Sequence, residues 1–300
     1  MRRFFPFFTV MLIATSVGAK DLARTFSTDV PFFDCDGLIC LDVVIDGAEP
    51  RRLLLDTGNV NNVFIAESAR DAGWALDPLL KEGIAIPGLY RAGEHRVSIG
   101  RVDAKVPFFS FDRAQLGQYP PPGEGAITYP FFKDRIVQID YPAHRLRISD
   151  IVTTPLAERD DAQGVLKLIT FGEHGPPVLV ASPFRLNGKN LRAQIDTSFT
   201  GSLLVYDAAI DDLGLKRQGA SELFRYTDGG VNLRAAQTSP ISFARQEIAK
   251  NSTVYEVGEG AVPVHQPDRF FEGKVGNALF AHSIVTMDFH AMTMDVRAAN

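Results

Sequence analysis

Several common catalytic signatures are missing from this 300-residue chain. It has only two cysteines, Cys35 and Cys40, and a single tryptophan, Trp74. No Gly-x-Ser-x-Gly elbow occurs, and neither cysteine has the setting of a nucleophile. The six histidines, at positions 95, 144, 174, 265, 282 and 290, fall at no metal-ligand spacing. No glycine motif of the phosphate-cradling kind is present. Basic residues form no cluster, which argues against a nucleic-acid partner. No cofactor and no metal is therefore expected. After the first 19 residues no apolar run is long enough to span a bilayer of about 30 Å.

That first stretch is itself informative. Arg2 and Arg3 precede the apolar run Phe4 to Val17, and Val17-Gly18-Ala19 places small residues at its end. The pattern is that of an export signal, residues 1–19, removed to leave no stable membrane insertion. The mature chain would carry 29 basic and 36 acidic residues, a net charge of −7 instead of −5. The expected location is periplasmic or secreted, in a bacterial setting. In such an oxidising compartment Cys35 and Cys40 could pair across Asp36-Gly37-Leu38-Ile39. A two-residue Asp36-Gly37 turn would instead leave them facing apart, so the sequence holds both readings open.

What the chain does contain is a motif used twice. Leu53-Leu54-Leu55 runs straight into Asp56-Thr57-Gly58, a buried strand ending in an acid and a turn. A carboxylate there is costly unless it is hydrogen-bonded or serves chemistry. One Asp-Thr-Gly is cheap to find by chance, but Ile195-Asp196-Thr197-Ser198 repeats the arrangement 140 positions on. A longer repeat follows each copy. Residues 124–148 align with 272–296 at a constant offset of 148, placing Gly125 on Gly273, Ile127 on Val275, Phe132 on Phe280 and Asp140 on Asp288. Two copies of one long unit are a tandem duplication, not a solenoid.

Short apolar strands separated by Asp-Gly, Asn-Gly and Pro-Gly turns give an all-β reading. Two homologous β-barrel-like lobes with a few short helices are expected, helices being predicted at 66–74 and 207–213. The lobes would cover residues 20–152 and 165–300, joined by a charged linker at 153–164. Gly83 to Gly100, with Pro87-Gly88 and Ala92-Gly93 as turn markers, could form a projecting hairpin. The second matched acids, Asp140 and Asp288, are better suited to orienting strand ends than to chemistry.

Homologous halves related by an approximate two-fold axis bring equivalent residues together near it. Asp56 and Asp196 would then share one small site. Two carboxylates that close cannot both ionise, so one proton is held between them and the titrations split. The pair thus offers a base for water and an acid for a carbonyl oxygen at the same pH. Thr57 and Thr197 could bond inward and keep the strands in register, and Gly58 would let the turn close tightly.

The chain resembles the two-lobed aspartic peptidases of the pepsin and retropepsin superfamily, and most of all the bacterial exported retropepsin-like proteins. Asp56-Thr57-Gly58 and Asp196-Thr197-Ser198 match the paired motifs, and Val275-Gly276 keeps the apolar-glycine signature that backs the active loop. The resemblance implies an acid-protease fold with Asp56 and Asp196 as catalytic dyad, supported by Thr57, Gly58, Thr197 and Ser198. It implies a peptide or protein substrate, water activation without a covalent intermediate, and a flap, for which Ile86 to Gly93 with Tyr90 near the tip is the candidate. Departures are Ser198 and Thr128 in place of glycines, and Asn59 and Phe199 after the motifs. These admit a rival expectation, a catalytically silent module that binds peptides or envelope proteins. A monomer is expected; a dimer with the site between chains is the weaker alternative.

Overall fold

The computed structural model of the chain describes residues 26–116, 122–152, 164–170, 177–216, 221–226, 229–257 and 271–299. The expected signal at 1–19 and the linker up to residue 163 lie outside the described residues. Among the described residues strand accounts for 61 % and helix for 10 %, so the fold is all-β as expected.

The first half contributes eleven strands. They are β1 (Phe26–Pro31), β2 (Phe33–Cys35), β3 (Leu38–Ile45), β4 (Arg51–Leu55), β5 (Asn62–Ile65) and β6 (Asp77–Lys81). Then come β7 (Ile84–Ile99), β8 (Val102–Phe111), β9 (Gly125–Ile127), β10 (Ile136–Asp140) and β11 (Arg145–Ser149). Two short helices interrupt them, α1 (Ala66–Asp71) and α2 (Tyr129–Phe132). In the second half are β12 (Gly164–Thr170), β13 (Pro177–Leu186), β14 (Lys189–Ile195), β15 (Leu203–Val205) and β16 (Ser221–Tyr226). They are followed by β17 (Gly229–Phe243), β18 (Gln246–Val257), β19 (Gly273–Val275), β20 (Ser283–Asp288) and β21 (Thr293–Ala298). Its helices are α3 (Asp207–Leu213) and α4 (Asn277–Phe280).

The two halves repeat each other in their central strand pairings. β4 pairs with β9 in parallel, as β14 does with β19. β5 is parallel to β8 and antiparallel to β9, and β15 stands the same way to β18 and β19. The hairpins β6–β7 and β16–β17 also correspond. Apolar runs make the buried strands: all five residues of β10 are buried, and β8 alternates where one face meets solvent.

The halves join edge to edge in the order β1-β11-β10-β20-β21-β12. At this seam β10 and β20 are antiparallel, with Gln138 opposite Thr286. Those two residues are themselves 148 apart, so the offset of the sequence repeat is the separation of the pair on the local two-fold. The Gln138 amide donates to the Thr286 hydroxyl at 3.0 Å. Asp140 and Asp288 cap the turns that follow, accepting from the N–H of Ala143 and from those of His290 and Ala291.

Some local expectations need correction. The segment 83–100 is not a hairpin by itself: it is the single long strand β7, turning back on β6 at Glu82-Gly83, where both residues have positive φ. Gly93 sits at a bulge against β8, not at a turn. Asp77 to Lys81, polar at both ends and carrying Pro78, escaped notice as a strand because it pairs on one side only. α1 ends at Asp71, before the expected 74. Cys35 and Cys40 do form a disulfide, although Asp36-Gly37 is a two-residue turn. Cys40 lies opposite Phe33, so the bond runs diagonally across the hairpin between Cα atoms 6.0 Å apart.

Candidate active site

The chain leaves β4 at Leu55 and β14 at Ile195, and both exits are set by the parallel neighbour. The Asp56 N–H donates to the Ile127 carbonyl at 3.0 Å, and the Asp196 N–H to the Val275 carbonyl at 2.9 Å. Both loops are buried, with Asp56 2 % and Asp196 3 % exposed. A carboxylate that deep needs partners, and each has one in its own turn. The Gly58 N–H donates to Asp56 Oδ1 at 2.8 Å, and the Ser198 N–H to Asp196 Oδ1 at 2.9 Å.

The loops are locked to each other through the two threonines. The Thr57 N–H donates to Thr197 Oγ1 at 3.0 Å, and the Thr197 N–H to Thr57 Oγ1 at 3.1 Å. Each hydroxyl then donates onward across the axis, Thr57 to the Ile195 carbonyl at 3.0 Å and Thr197 to that of Leu55 at 2.6 Å. The inward role expected of both threonines is therefore what their hydroxyls do. A further strut comes from β14, where the Gln194 amide donates to the Gly58 carbonyl at 2.7 Å.

Gly58 is required by a close approach. A Cβ there would lie 2.5 Å from the carboxyl carbon of Asp196. The Asp196 carboxyl thus packs on the same glycine whose N–H holds Asp56, which brings the two acids from opposite halves to one place. Behind the second loop, a Cβ on Gly276 would fall 2.2 Å from the Phe199 carbonyl oxygen. Thr128 occupies the matching place in the first half with nearly the same backbone angles. It fits because Asn62 turns inward, accepting from the Thr128 N–H at 2.8 Å and its hydroxyl at 3.2 Å. The missing glycine is therefore compensated. Ser198 adds a donor, its hydroxyl reaching Asp196 Oδ1 at 2.5 Å.

Tyr90 makes its contacts away from this cluster, with Asp112 and Arg70. It lies within β7, seven residues past the turn, and its hydroxyl donates to Asp112 Oδ2 at 3.1 Å. Arg70 covers its ring at 5.2 Å. The tip of the projecting hairpin is Glu82-Gly83, flanked by Leu80 and Ile84, both exposed.

One site residue was missed from the sequence. Lys274, in the middle of β19, places its ammonium 2.6 Å from Asp196 Oδ2 and is largely buried. Its strand position matches Ala126 of β9, since Gln194 pairs with Lys274 as Leu54 pairs with Ala126. A charged residue where the other copy has alanine was the signal available. Next to it, burial pushes the Tyr206 phenol up, Lys274 pulling it back and Asp196 raising it further. Among the described residues no group of three or more His, Cys, Asp or Glu side chains is arranged to hold a metal.

This architecture is shared with a solved structure. The crystal structure of aspartic proteinase from Irpex lacteus superposes with a TM-score of 0.50 over 91 % of this chain and 97 % of that one, at 10 % identity. The fold is accordingly that of a bilobal all-β acid protease. No protein-family model and no curated protein sequence matches the chain.

Proposed function

We propose that the chain is an exported aspartic-type endopeptidase whose catalytic pair is Asp56 and Asp196. The observation that carries this reading is the packing of the Asp196 carboxyl on Gly58, with both acid loops cross-braced by Thr57 and Thr197. The ionised acid takes a proton from a water, whose oxygen attacks the peptide carbonyl carbon while the protonated acid gives its proton to the carbonyl oxygen. Collapse of the resulting diol breaks the C–N bond and passes a proton to the leaving nitrogen. Desolvation strengthens each of these electrostatic steps. Hairpins in both halves, β6–β7 and β16–β17, favour a retropepsin-like rather than a one-flap cleft. The apolar run at 1–19 and the Cys35–Cys40 disulfide support export.

A peptide or protein substrate and a monomeric chain complete the reading. Asp56→Asn or Asp196→Asn is expected to abolish cleavage of a broad peptide library with the fold intact by circular dichroism. Full activity in either variant removes the assignment. The rival reading, a silent peptide-binding module, is favoured by one observation, the Lys274 ammonium on Asp196. A statine-type peptide separates them: a working pair binds it far more tightly than the matching substrate, because catalysis favours the transition state. Equal affinity supports the module.

A further inference from the structure

Lys274 breaks the symmetry of the acid pair by placing a charge on one member. Its side chain leaves β19 on the face shared with Leu204 of β15 and Gln194 of β14. Around that face lies an apolar cluster of Val178, Val180, Phe199, Leu204, Tyr206 and Phe271. An ammonium in such surroundings is costly without a partner, and a partner charge there is screened little by solvent. In the first half the matching apolar cluster is Leu38, Cys40, Leu54 and Ala126, and alanine stands where the second half has Lys274. So Asp196 has a cation built against its outer oxygen from a strand position that the first half fills with Ala126.

We propose that Lys274 is a positioning residue that fixes Asp196 as the ionised member of the pair and leaves the single exchangeable proton to Asp56. The proposal rests on the shared-proton reading above. Other groups face the lysine and the acids from neighbouring elements. Ser198 donates to the inner oxygen of Asp196, and the Tyr206 phenol borders both ions. Tyr255 of β18 packs against the same apolar cluster, and Arg192 of β14 is paired with Glu272 at 2.6 Å. Burial holds the Tyr206 phenol up, and the Arg192–Glu272 pair is internally compensated. Among the described residues Lys274 is the cation in direct contact with Asp196.

A cation beside the pair favours the state with both carboxylates ionised. Proton loss from the pair therefore comes at lower pH with Lys274 than without it, and the high-pH limb of activity falls earlier. It also divides the labour: Asp196 is the base that receives the water proton, and Asp56 the acid that serves the carbonyl oxygen.

The test is carboxyl NMR of isotope-labelled aspartates across the acid range, in the free full-length mature chain, alongside the pH profile of kcat. Lys274→Met removes the charge in an apolar setting, and Lys274→Gln does so with a polar end. Both are expected to raise the midpoint of the shared proton by about 1–3 pH units, the usual effect of an opposite charge at this range. The upper limb of the kcat profile should move with it, and Lys274→Arg should stay near the wild type. An unmoved midpoint in both neutral variants overturns the proposal, as does an equal shift in Lys274→Arg. If Asp56 titrates identically in wild type and in Asp196→Asn, no proton is shared, and the underlying reading falls together with the proposal. The NMR readout needs no substrate, so the two failures are told apart.

Discussion

Replacing Thr197 by valine tests the joint between the halves most directly. Valine keeps the shape and takes away the oxygen. That oxygen accepts from the Thr57 N–H at 3.0 Å and donates to the Leu55 carbonyl at 2.6 Å. Both partners are buried, Thr57 being 4 % and Leu55 1 % exposed, so water does not replace what is lost. A buried polar group left unpaired costs about 1–3 kcal/mol, and two such groups give about 2–6 kcal/mol. Against a total stability of about 5–15 kcal/mol that is a large loss. Thr57→Val should cost a similar amount, through the Thr197 N–H and the Ile195 carbonyl. The two hydroxyls touch at 3.4 Å and belong to one network, so the double variant should depart from additivity by about 0.5–3 kcal/mol. Urea unfolding of the four chains reads these differences, and Thr197→Ser should restore most of the loss. A Thr197→Val chain within about 0.5 kcal/mol of wild type, the range of an ordinary surface change, would refute the cross-brace.

Two further outcomes are expected. Gly58→Ala should reduce kcat on a cleavable peptide by at least about a hundredfold, the scale on which small misplacements act, because the new Cβ falls 2.5 Å from the Asp196 carboxyl carbon; unchanged kcat would mean the acids do not meet there. At the β1–β11 edge, burial pushes the Asp29 carboxyl up, but hydrogen bonds and charge from Arg145 and Arg147 outweigh it and hold the group below its ordinary 3.8. A lowered folded value means stability that is present above the ordinary value and lost as pH falls through the folded one. Melting temperature in acid should accordingly fall less steeply in Asp29→Asn than in wild type, and identical slopes would contradict the pairing.

The parts of this molecule that were legible in its sequence are those where one strand writes its own rule. Leu53 to Leu55 ending on Asp56 is a local pattern, and its second appearance at Asp196 needed no knowledge of contacts. The offset of 148 was readable because β9 to β11 and β19 to β21 keep most of the same buried positions. Illegible were features decided by a partner far along the chain. Lys274 reads as one residue between two glycine-containing turns until Asp196, 78 positions away, is seen beside it. Thr128 looks like a lost glycine because Asn62, which fills its space, is 66 residues distant. Tyr90 was placed near a hairpin tip by the local Pro-Gly and Ala-Gly pairs, which long strand β7 absorbs as a bend and a bulge.

The joining of both halves in one polypeptide matters most at β19. Were this fold assembled from two identical chains, any lysine at that position would come in duplicate. Two ammonium groups would then confront two carboxylates, every charge would be balanced, and nothing would favour retaining a proton between the acids. Covalent fusion lets Ala126 and Lys274 differ. The lysine can therefore stand against one acid alone, an arrangement that a homodimer is forbidden by its own symmetry.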